Sequence, residues 1–498
     1  MYCLLDGHGY FYDIQTIAQI FYPNERFIRV ENTGMTGLTA VSALTPGGCR
    51  GALYLNGCPQ QESIMPLPED TGDIEDSVTH MPVADNVSRT QEIRRRLMIA
   101  LFLAIKAYTG INPPWGALTG IRPSKMARLL LESGYTKDDV IDLMERNYLS
   151  RRDKIALAAD VAAAEKAILE SQPENAFCLY VGIPFCPSRC LYCSFASYPA
   201  GKDPELPDLY LEALEKELLA IRNLTKGLSI SAVYIGGGTP TALNEKQLDG
   251  LLALIKRLFG GPREFAVEAG RPDTLNVRKL RLLKEYGVNR LSINPQSMND
   301  DTLKCIGRSH SVRDFLESYS LARAEGFDNI NTDIILGLPG ETPDNVTETM
   351  NRLLAVKPEN VTVHILTIKR ASLLREALKD YPMAGVDALE EMIDISRRMC
   401  RESGMRPYYM YRQKNMLGNF ENVGYSLPGR QSLYNVLIME EARPIWAAGA
   451  GAVTKLVYGD RIERVFNVKS INDYISRTDE MIKRKEEKYA AYPSPSGH

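Results

Sequence analysis

Short apolar runs alternate with amphipathic segments through the middle of the chain. The segments between the runs place apolar residues at helical spacing, and the six runs are CLYVGI, SAVYIGG, EFAVEA, NRLSIN, NINTDIIL and NVTVHIL. Six strands that alternate with helices predict a parallel sheet, and right-handed crossovers curl such a sheet into a full or partial barrel. A doubly wound open sheet is the alternative, although no GxGxxG motif follows the first strand to indicate a dinucleotide fold.

Other patterns flank this repeat. Residues 26–31 and 51–56 alternate like strands, residues 66–88 are acidic and rich in Pro, and residues 97–105 carry one apolar stripe at helical spacing. The fold class is therefore α/β, with a partial (β/α)6-type barrel, an N-terminal α/β plus helical extension and a mixed C-terminal domain. We predict a small α/β domain at 1–65, a linker and helical extension at 66–172, the barrel at 173–370, the C-terminal domain at 371–490 and a tail at 491–498.

Composition narrows the class of protein. The chain has 498 residues, 44% of them hydrophobic and 24% charged, which suits two to four globular domains and excludes a wholly disordered chain. The formal net charge of −3 disfavours a general nucleic-acid or anionic-membrane binder. No apolar run is long enough for a transmembrane helix, and the N-terminus does not resemble a signal peptide. We therefore expect a cytoplasmic protein that has no nucleic-acid partner.

Three of the nine cysteines are clustered. Cys186, Cys190 and Cys193 follow the first predicted barrel strand in the order C-x3-C-x2-C, and barrel enzymes place their chemistry in loops at the carboxyl ends of strands. A structural zinc site normally has four protein ligands, whereas three cysteines leave one iron of a 4Fe–4S cluster open to a substrate or cofactor. A zinc site completed by Cys178 and three unrelated buried thiols are the alternatives.

Glycine and polar residues stand at the ends of the later predicted strands. The run from Gly236 to Pro240 lets a ligand approach the backbone, although a tight turn alone also explains three glycines. For the polar positions a satisfied buried group or a surface ion pair is the alternative to a site at the barrel mouth. These positions are Glu268, Gln296, Arg308 and Asp333.

The segment YVGIPFCPSRCLYCSF, residues 180–195, resembles the signature of radical S-adenosylmethionine enzymes. It is most similar to the oxygen-independent coproporphyrinogen III oxidase family, whose pattern runs Y-x-H-I-P-F-C-x3-C-x-[YF]-C. The resemblance extends over about residues 178–455. The long N-terminal extension and the phrases VEAGRPDT and LTIKRAS resemble the HemZ-type coproporphyrinogen dehydrogenase branch of that family.

This resemblance implies a cofactor set and a role for each candidate residue. The three cysteines would hold a 4Fe–4S cluster, and S-adenosylmethionine would chelate the fourth iron through its amino and carboxylate groups. Tyr192 would lie beside the adenine, Asp333 would accept from the ribose hydroxyls, and Arg308 would pair with the carboxylate. Tyr180 is the candidate catalytic residue. The full set of implied cofactor contacts is Tyr180, Tyr192, Gly237, Gly238, Thr239, Glu268, Gln296, Arg308 and Asp333.

The resemblance also implies a reaction and its partners. An electron would enter the cluster from a donor such as a flavodoxin or ferredoxin, and S-adenosylmethionine would be cleaved to a 5′-deoxyadenosyl radical. That radical would take hydrogen from a propionate of coproporphyrinogen III, and loss of carbon dioxide and one electron would give a vinyl group, twice, to form protoporphyrinogen IX. Two alternatives stay open: another radical reaction on a tetrapyrrole, such as haem degradation, and a haem-binding or haem-transfer protein that keeps the cluster.

The chain departs from the family pattern at two positions near the cysteines. Gly182 replaces the family's His, and Phe195 stands where the established oxidases carry another Cys. The H-N-x2-Y-W motif of the related haem-chaperone branch is absent, because the chain reads SLYNVLIMEE in that region. These departures bear on the substrate and leave the cluster and cofactor interpretation unchanged.

Two more sets of residues are candidates for contacts outside the cofactor site. Substrate carboxylates need cationic partners, for which Lys369, Arg370 and Arg412 are available. The segment WGALTGIRPSKM carries Trp115, Arg122 and Lys125. It either docks the extension on the barrel, covers the site, or is a plain helix-start loop with a packed Trp.

Overall fold

The computed structural model describes residues 1–23, 25–68, 89–120, 122–193, 197–199, 201–367, 383–413, 416–459 and 461–491. The chain divides into two compact units. The N-terminal unit consists of Met1–Ala163 and Tyr411–Glu421, and the barrel unit consists of Ala164–Met410 and Asn422–His498. Within the described ranges, no helix combines the length and apolar character needed to cross a bilayer.

The N-terminal unit combines a five-stranded sheet with helices. The strands follow the spatial order β2-β1-β3-β4-β5, and they are β1 (Tyr2–Asp6), β2 (Ile28–Val30), β3 (Leu38–Thr45), β4 (Gly48–Leu55) and β5 (Cys58–Met65). The helices are α1 (Phe11–Phe21), α2 (Arg89–Thr109), α3 (Pro123–Glu132), α4 (Lys137–Tyr148) and the first part of α5 (Arg152–Glu170).

Helix α2 packs directly on strand β4. Leu97, Phe102 and Ile105 are fully buried, as the apolar stripe predicts, and burying each such side chain contributes about 1.5–3 kcal/mol. A Cβ atom on Gly51 would lie 2.2 Å from the backbone nitrogen of Leu101, so only glycine fits at that crossing.

The barrel unit contains the predicted strand–helix repeat. Its strands are β6 (Ala176–Ile183), β7 (Phe185–Cys186), β8 (Tyr198–Pro199), β9 (Ser229–Gly237), β10 (Glu264–Glu268), β11 (Arg290–Ser292), β12 (Ile330–Leu336), β13 (Asn360–Ile365), β14 (Arg406–Tyr411, whose last residue belongs to the N-terminal unit), β15 (Asn422–Ser426), β16 (Ile445–Ala448), β17 (Val453–Tyr458) and β18 (Arg461–Phe466). Its helices are α6 (Leu206–Leu224), α7 (Glu245–Phe259), α8 (Val277–Glu285), α9 (Asp300–Cys305), α10 (Val312–Ala324), α11 (Pro343–Ala355), α12 (Val386–Glu402), α13 (Leu433–Glu440), α14 (Ile471–Ser476) and α15 (Thr478–Ala490).

Eleven of these strands form one sheet in the order β14-β15-β13-β12-β11-β10-β9-β6-β16-β17-β18. The six strands from β6 through β13 of this order pair in parallel with their neighbours. The predicted α/β class with a partial (β/α)6-type barrel is confirmed. Residues from 406 onward add two strands at one edge and three at the other, and the domain limits predicted from the sequence stay a prediction.

Side-chain caps fix where several barrel helices begin. Reciprocal capping boxes join Asn244 to Gln247 at α7, Ser311 to Asp314 at α10, and Thr342 to Asn345 at α11. Each box satisfies two backbone N–H groups that would otherwise have no partner in the first turn. The caps of α7 and α11 end the loops that follow β9 and β12, and the cap of α10 ends the loop that follows α9. These caps therefore help to fix the loops that carry the site.

Candidate active site

The first cysteine of the cluster lies directly after β6, where the loop after β9 supports it. Gly238 N donates to Ile183 O at 2.8 Å, and Thr239 N donates to Phe185 O at 2.7 Å. The Thr239 hydroxyl donates to Cys186 Sγ at 3.5 Å. Burial raises the pKa of the Cys186 thiol, whereas the hydrogen bond from Thr239 lowers it. The two loops together hold this sulfur at the carboxyl ends of β6 and β9.

The other two cysteines form a tight turn beside a later loop. Cys193 N donates to Cys190 O at 3.1 Å, and Leu191 N donates to Ile306 O at 3.0 Å, so the loop after α9 lies against this turn. Cys190 is 8% exposed, whereas Cys186 and Cys193 are half-buried. The three predicted ligands thus lie in one short loop supported from two sides.

Cys178 lies apart from this loop, inside β6. It is fully buried in a core cluster with Ala232, Leu437 and Ile445, and burial raises the pKa of its thiol. The prediction that Cys178 is a core residue is confirmed. Among the described residues, no three His, Cys, Asp or Glu side chains are grouped as ligands of a single metal ion. A 4Fe–4S cluster does not need such a group, because each cysteine binds a different iron.

The glycines after β9 permit a close approach of two backbones. Gly237 has a φ of +102°, which favours glycine. A Cβ atom on Gly238 would lie 2.7 Å from Phe185 O and 2.8 Å from Ile183 O. A side chain at Gly238 would therefore displace the start of the cysteine loop from β9, whatever ligand the loop holds.

Three ionisable side chains lie close together on neighbouring parts of the sheet, at Glu268 of β10, Asp333 of β12 and His364 of β13. The His364 Nε2 atom is 3.6 Å from Asp333 Oδ2, and Asn331 Nδ2 donates to Asp333 Oδ1 at 2.7 Å. The Tyr234 hydroxyl donates to Glu268 Oε2 at 3.3 Å. This cluster places two carboxyl groups where the resemblance predicts cofactor contacts.

The two carboxyl groups have oppositely shifted pKa values. Burial and the nearby charge of Asp333 raise the pKa of Glu268 to about 7. Burial also acts to raise the pKa of Asp333, but hydrogen bonds from His364 and Asn331 outweigh it and lower that pKa below its ordinary value. Titratable groups whose environments separate their pKa values in this way are typical of functional sites.

Gln296 and Arg308 each contain a buried atom without a hydrogen-bond partner in the described part of the chain. These atoms are Gln296 Oε1 and Arg308 Nε. The backbone of Gln296 has a φ of 70°, a strained value for a residue with a side chain, and its N–H donates to Asp333 O at 3.0 Å. Arg308 Nη2 donates to the carbonyl groups of Gly270 and Asn294, at 3.0 and 2.5 Å. A buried acceptor and a buried donor are thus available to a bound molecule.

Tyr180 belongs to a group of three parallel aromatic rings. The ring centroids of Tyr180 and Tyr234 are 6.3 Å apart, and those of Tyr234 and Tyr434 are 4.6 Å apart. Burial raises the pKa of the Tyr180 hydroxyl, as it does that of half-buried Tyr192 between the cysteines. The charge of Arg308 acts in the opposite direction on Tyr192. The roles assigned to all these candidate residues stay predictions.

The remaining candidates either lie outside the described residues or belong to the N-terminal unit. Phe195, Lys369 and Arg370 lie outside the described residues. Arg412 is buried in the N-terminal unit, where its Nη1 donates to Leu118 O at 2.7 Å and its guanidinium stacks 5.4 Å from the Trp115 ring centroid. Arg412 therefore takes part in the packing of this unit, and its suggested role toward a substrate carboxylate stays a prediction.

The Trp-containing loop is a packed helix-start loop within the N-terminal unit. Trp115 is fully buried and its Nε1 donates to Glu421 Oε2 at 2.8 Å, while Lys154 Nζ donates to Glu421 Oε1 at 2.6 Å. Arg122 directly precedes α3 without a capping hydrogen bond from its side chain, and Lys125 lies in the first turn of that helix. The plain alternative given for this segment is therefore supported.

Four residues at the site had no role assigned to them from the sequence. His364 and Tyr234 lie in alternating strands, so the period-2 pattern that selected Asp333 would also have selected them. Tyr434 lies on a helix and Arg271 lies in a loop, so no periodic pattern in the sequence marks either of them.

Comparison with known proteins assigns the family. Residues 180–353 match the radical SAM superfamily. The chain is 38% identical over 410 residues to the oxygen-independent coproporphyrinogen-III oxidase-like protein HemZ of Bacillus subtilis, a match that covers 80% of this chain and 82% of that protein. The chain belongs to the HemN/HemZ-type radical S-adenosylmethionine family. Members of this family use a 4Fe–4S cluster and S-adenosylmethionine.

Other relatives of the chain have two different functional names. The oxygen-independent coproporphyrinogen III oxidase of Escherichia coli is 31% identical over 239 residues, 46% of this chain and 52% of that protein. The heme chaperone HemW of Bacillus subtilis is 42% identical over 193 residues, 38% of this chain and 50% of that protein. The solved structure of coproporphyrinogen III oxidase (HemN) from Escherichia coli has a TM-score of 0.52 at 23% identity, covering 64% of this chain and 73% of that one, which supports the fold alone.

The described residues fit the family's cofactors. Three thiols in one loop suit a cluster with an open iron. S-adenosylmethionine carries an amino group, a carboxylate and ribose hydroxyls, and the site offers carboxylate acceptors at Glu268 and Asp333 together with the unpartnered atoms of Gln296 and Arg308. The family's cofactors and this donor and acceptor set therefore agree.

Proposed function

We propose that the protein catalyses the oxygen-independent oxidative decarboxylation of coproporphyrinogen III. Two propionate side chains would become vinyl groups, giving protoporphyrinogen IX for haem biosynthesis. A relative that matches 80% of this chain is named an oxygen-independent coproporphyrinogen-III oxidase-like protein, and this match is the observation that carries the choice of substrate. We further propose a cytoplasmic location and an electron donor such as a flavodoxin or ferredoxin.

The chain's own residues would bind the cofactors and keep water out. When bound, the cluster and S-adenosylmethionine supply the radical chemistry. Cys186, Cys190 and Cys193 would hold the cluster, with the Thr239 hydroxyl hydrogen-bonded to the first sulfur. Asp333, fixed by Asn331 and His364, would hold the ribose hydroxyls as an ionised acceptor.

Glu268 and the tyrosine rings complete the proposed pocket. Glu268 would accept a hydrogen bond from the cofactor in addition to the one that its Oε2 accepts from the Tyr234 hydroxyl. Tyr180, stacked on Tyr234, is the proposed catalytic residue. Such stacked rings form a rigid wall because each aromatic side chain has only two rotatable bonds.

A haem-binding protein that retains the cluster is the second candidate. It is favoured by the 42% identity to a heme chaperone over 193 residues. The region where that branch carries H-N-x2-Y-W is, in this chain, the buried helix α13. Its first turn is capped by Glu264, whose oxygens accept from the Ser432 hydroxyl and from Leu433 N. No imidazole is present in this segment of the sequence to bind haem iron.

One anaerobic experiment separates these functions. Reconstituted protein is incubated with coproporphyrinogen III, S-adenosylmethionine and a reductant, and the products are analysed by mass. We expect 5′-deoxyadenosine together with a tetrapyrrole that has lost two molecules of carbon dioxide and four hydrogen atoms, and neither product from Cys190→Ala. Cleavage of S-adenosylmethionine with unchanged coproporphyrinogen would transfer the assignment to another tetrapyrrole, such as haem in a degradative reaction. Tight haem binding without cleavage would favour the carrier function.

A further inference from the structure

Arg271 is a buried cation that contacts the cysteine loop. Its side chain is among the largest that are fully enclosed, with only 2% exposed, although it lies in the loop after β10. Its Nη1 donates to Ser188 Oγ at 3.0 Å and to Ser188 O at 3.3 Å. Ser188 lies between Cys186 and Cys190 in the sequence. The guanidinium therefore binds the C-x3-C segment at its middle residue.

The other side of the same guanidinium is fixed by a carboxylate. Arg271 Nε and Nη2 donate to the two oxygens of Asp273, at 2.9 and 2.8 Å, in a bidentate pair. Asp273 is 24% exposed, whereas Arg271 is not, so solvent screens the negative charge more than the positive one. The pair thus leaves a net positive field on the side of the cysteines.

A second cation reinforces that field. Arg308 Nη1 is 4.0 Å from Cys190 Sγ. His310 lies beside both arginines, and burial together with the charge of Arg308 lowers its pKa to about 3, so the imidazole is neutral. Among the described residues, the charged groups that face the cysteine loop from the neighbouring loops are therefore Arg271, Arg308 and Asp273.

We propose that Arg271 is a positioning residue for the cysteine loop and that its charge raises the reduction potential of the bound cluster. The inference rests on the proposed ligand set, Cys186, Cys190 and Cys193. Adding one electron makes the cluster and its thiolates more negative by one unit. A buried cation stabilises that reduced state more than the oxidised one, because low-dielectric surroundings weaken the field only slightly. The electron comes from the external donor, which is dithionite in the experiment below.

The experiment measures the midpoint potential of the reconstituted full-length protein by a titration that follows the electron paramagnetic resonance signal of the reduced cluster. We expect Arg271→Gln to shift the midpoint to more negative values at unchanged iron content. Arg271→Lys keeps the charge, so its midpoint should lie much closer to that of the wild type than the midpoint of Arg271→Gln does. Arg290→Gln is the matched control, because Arg290 is also buried in the barrel unit but donates to Asn329 and Arg430, away from the cysteines.

A second variant, expected to shift the midpoint in the opposite direction, tests the inference even if Arg271→Gln fails to hold iron. Asp273→Asn removes the negative partner and leaves the contacts of Arg271 with Ser188, so it should shift the midpoint to more positive values. An unchanged midpoint in Asp273→Asn, or in an iron-replete Arg271→Gln, overturns the inference. If Cys190→Ala instead keeps its iron, the ligand set itself is wrong, which is a different failure from an unresponsive midpoint.

Discussion

Two groups of buried polar side chains in the barrel unit differ in how completely their atoms are paired. The first surrounds Glu217 on α6. Its Oε1 accepts from Lys485 Nζ at 2.6 Å and from Asn467 Nδ2 at 2.8 Å, and its Oε2 accepts from the Tyr474 hydroxyl and from Gly449 N at 2.8 Å. Glu217 and Lys485 are at most 1% exposed. Every partner of this carboxylate comes from the chain itself.

The second group lies at the carboxyl ends of the strands, and some of its buried polar atoms are not paired with any described residue. Gln296 Oε1 and Arg308 Nε have no hydrogen-bond partner among the residues described, and Glu268 has a pKa raised to about 7. An unmade hydrogen bond of a buried group costs about 1–3 kcal/mol, which a ligand can recover when it binds. The comparison therefore separates a buried charge whose hydrogen bonds the chain completes by itself from a group at the strand ends where a ligand can supply the missing partners.

The largest effect expected near the incompletely paired group is the loss of the 4Fe–4S cluster when one of its cysteines is replaced. Anaerobically reconstituted wild-type protein should hold about four irons per chain, and Cys190→Ala should hold almost none. Cys178→Ala is the matched control and should keep its iron, because this thiol lies in the core cluster. Iron and sulfide analysis measures both. Stoichiometric zinc with no iron uptake would falsify the cluster assignment.

The fully paired group should respond in stability instead. Lys485→Met leaves the Glu217 carboxylate buried without its cation, and we expect the free energy of unfolding to fall by about 3–5 kcal/mol. Denaturant titration measures the change. Adding Glu217→Gln to this variant should recover most of the loss, since no buried charge then remains. Folded Lys485→Met should still bind S-adenosylmethionine as wild type does. A large loss of affinity would contradict the separation of a group that stabilises the fold from a group that binds the cofactor.

An intermediate effect is expected at Asp333. Asp333→Ala should weaken S-adenosylmethionine binding by about 1–3 kcal/mol, the usual value for a lost hydrogen bond to a charged group. Iron content and the fold should not change, because Ile330 and Ile334 on the opposite face of β12 remain buried. Arg308→Ala should give a similar loss. Anaerobic titration with S-adenosylmethionine, followed by electron paramagnetic resonance of the reduced cluster, measures the affinity. Unchanged binding in both variants would show that the cofactor does not bind at these residues.

The smallest effect concerns the proton on Glu268. Its pKa in the folded protein, about 7, lies above the ordinary 4.5, so the folded state binds more protons than the unfolded state between these values. The contribution of this group to stability is therefore fully present below pH 4.5 and is lost as the pH rises through 7. Glu268→Gln should remove this dependence. The test is thermal unfolding of the cluster-free wild type and the variant at pH values from 4.5 to 8. Between pH 4.5 and 7 the stability of the wild type should change with pH relative to that of the variant, and outside this range the two curves should run parallel.

The periodic pattern of apolar residues made the barrel predictable, but it gave no indication of the fully paired group around Glu217. Six apolar runs and their amphipathic partners follow directly from the burial of a parallel sheet, and Asp333 was visible because it interrupts such a run in phase with Asn331. Glu217 occupies an ordinary position on an amphipathic helix, and its partners come from about 230 to 270 residues later in the chain. Only the tertiary fold brings them together, so no local pattern marks the network.

The same limit applies to Arg271 at the site. A loop arginine next to a proline looks like a surface residue, and its burial depends on how the cysteine loop folds over it. The cysteines themselves were predictable, because their spacing is a chemical requirement that is local in sequence.

Strand β6 has consequences for synthesis as well as for the mature site. It pairs with β9 on one side and with β16 on the other, where Ile445 lies opposite Cys178. The second partner is made about 270 residues after β6, which at 5–20 residues per second takes roughly 15–50 s on the ribosome. Throughout that time the edge of the strand that leads into the cysteine loop is open to pairing with other chains. A nascent chain truncated before β16 therefore carries all three cysteines next to a strand whose second edge is still unpaired.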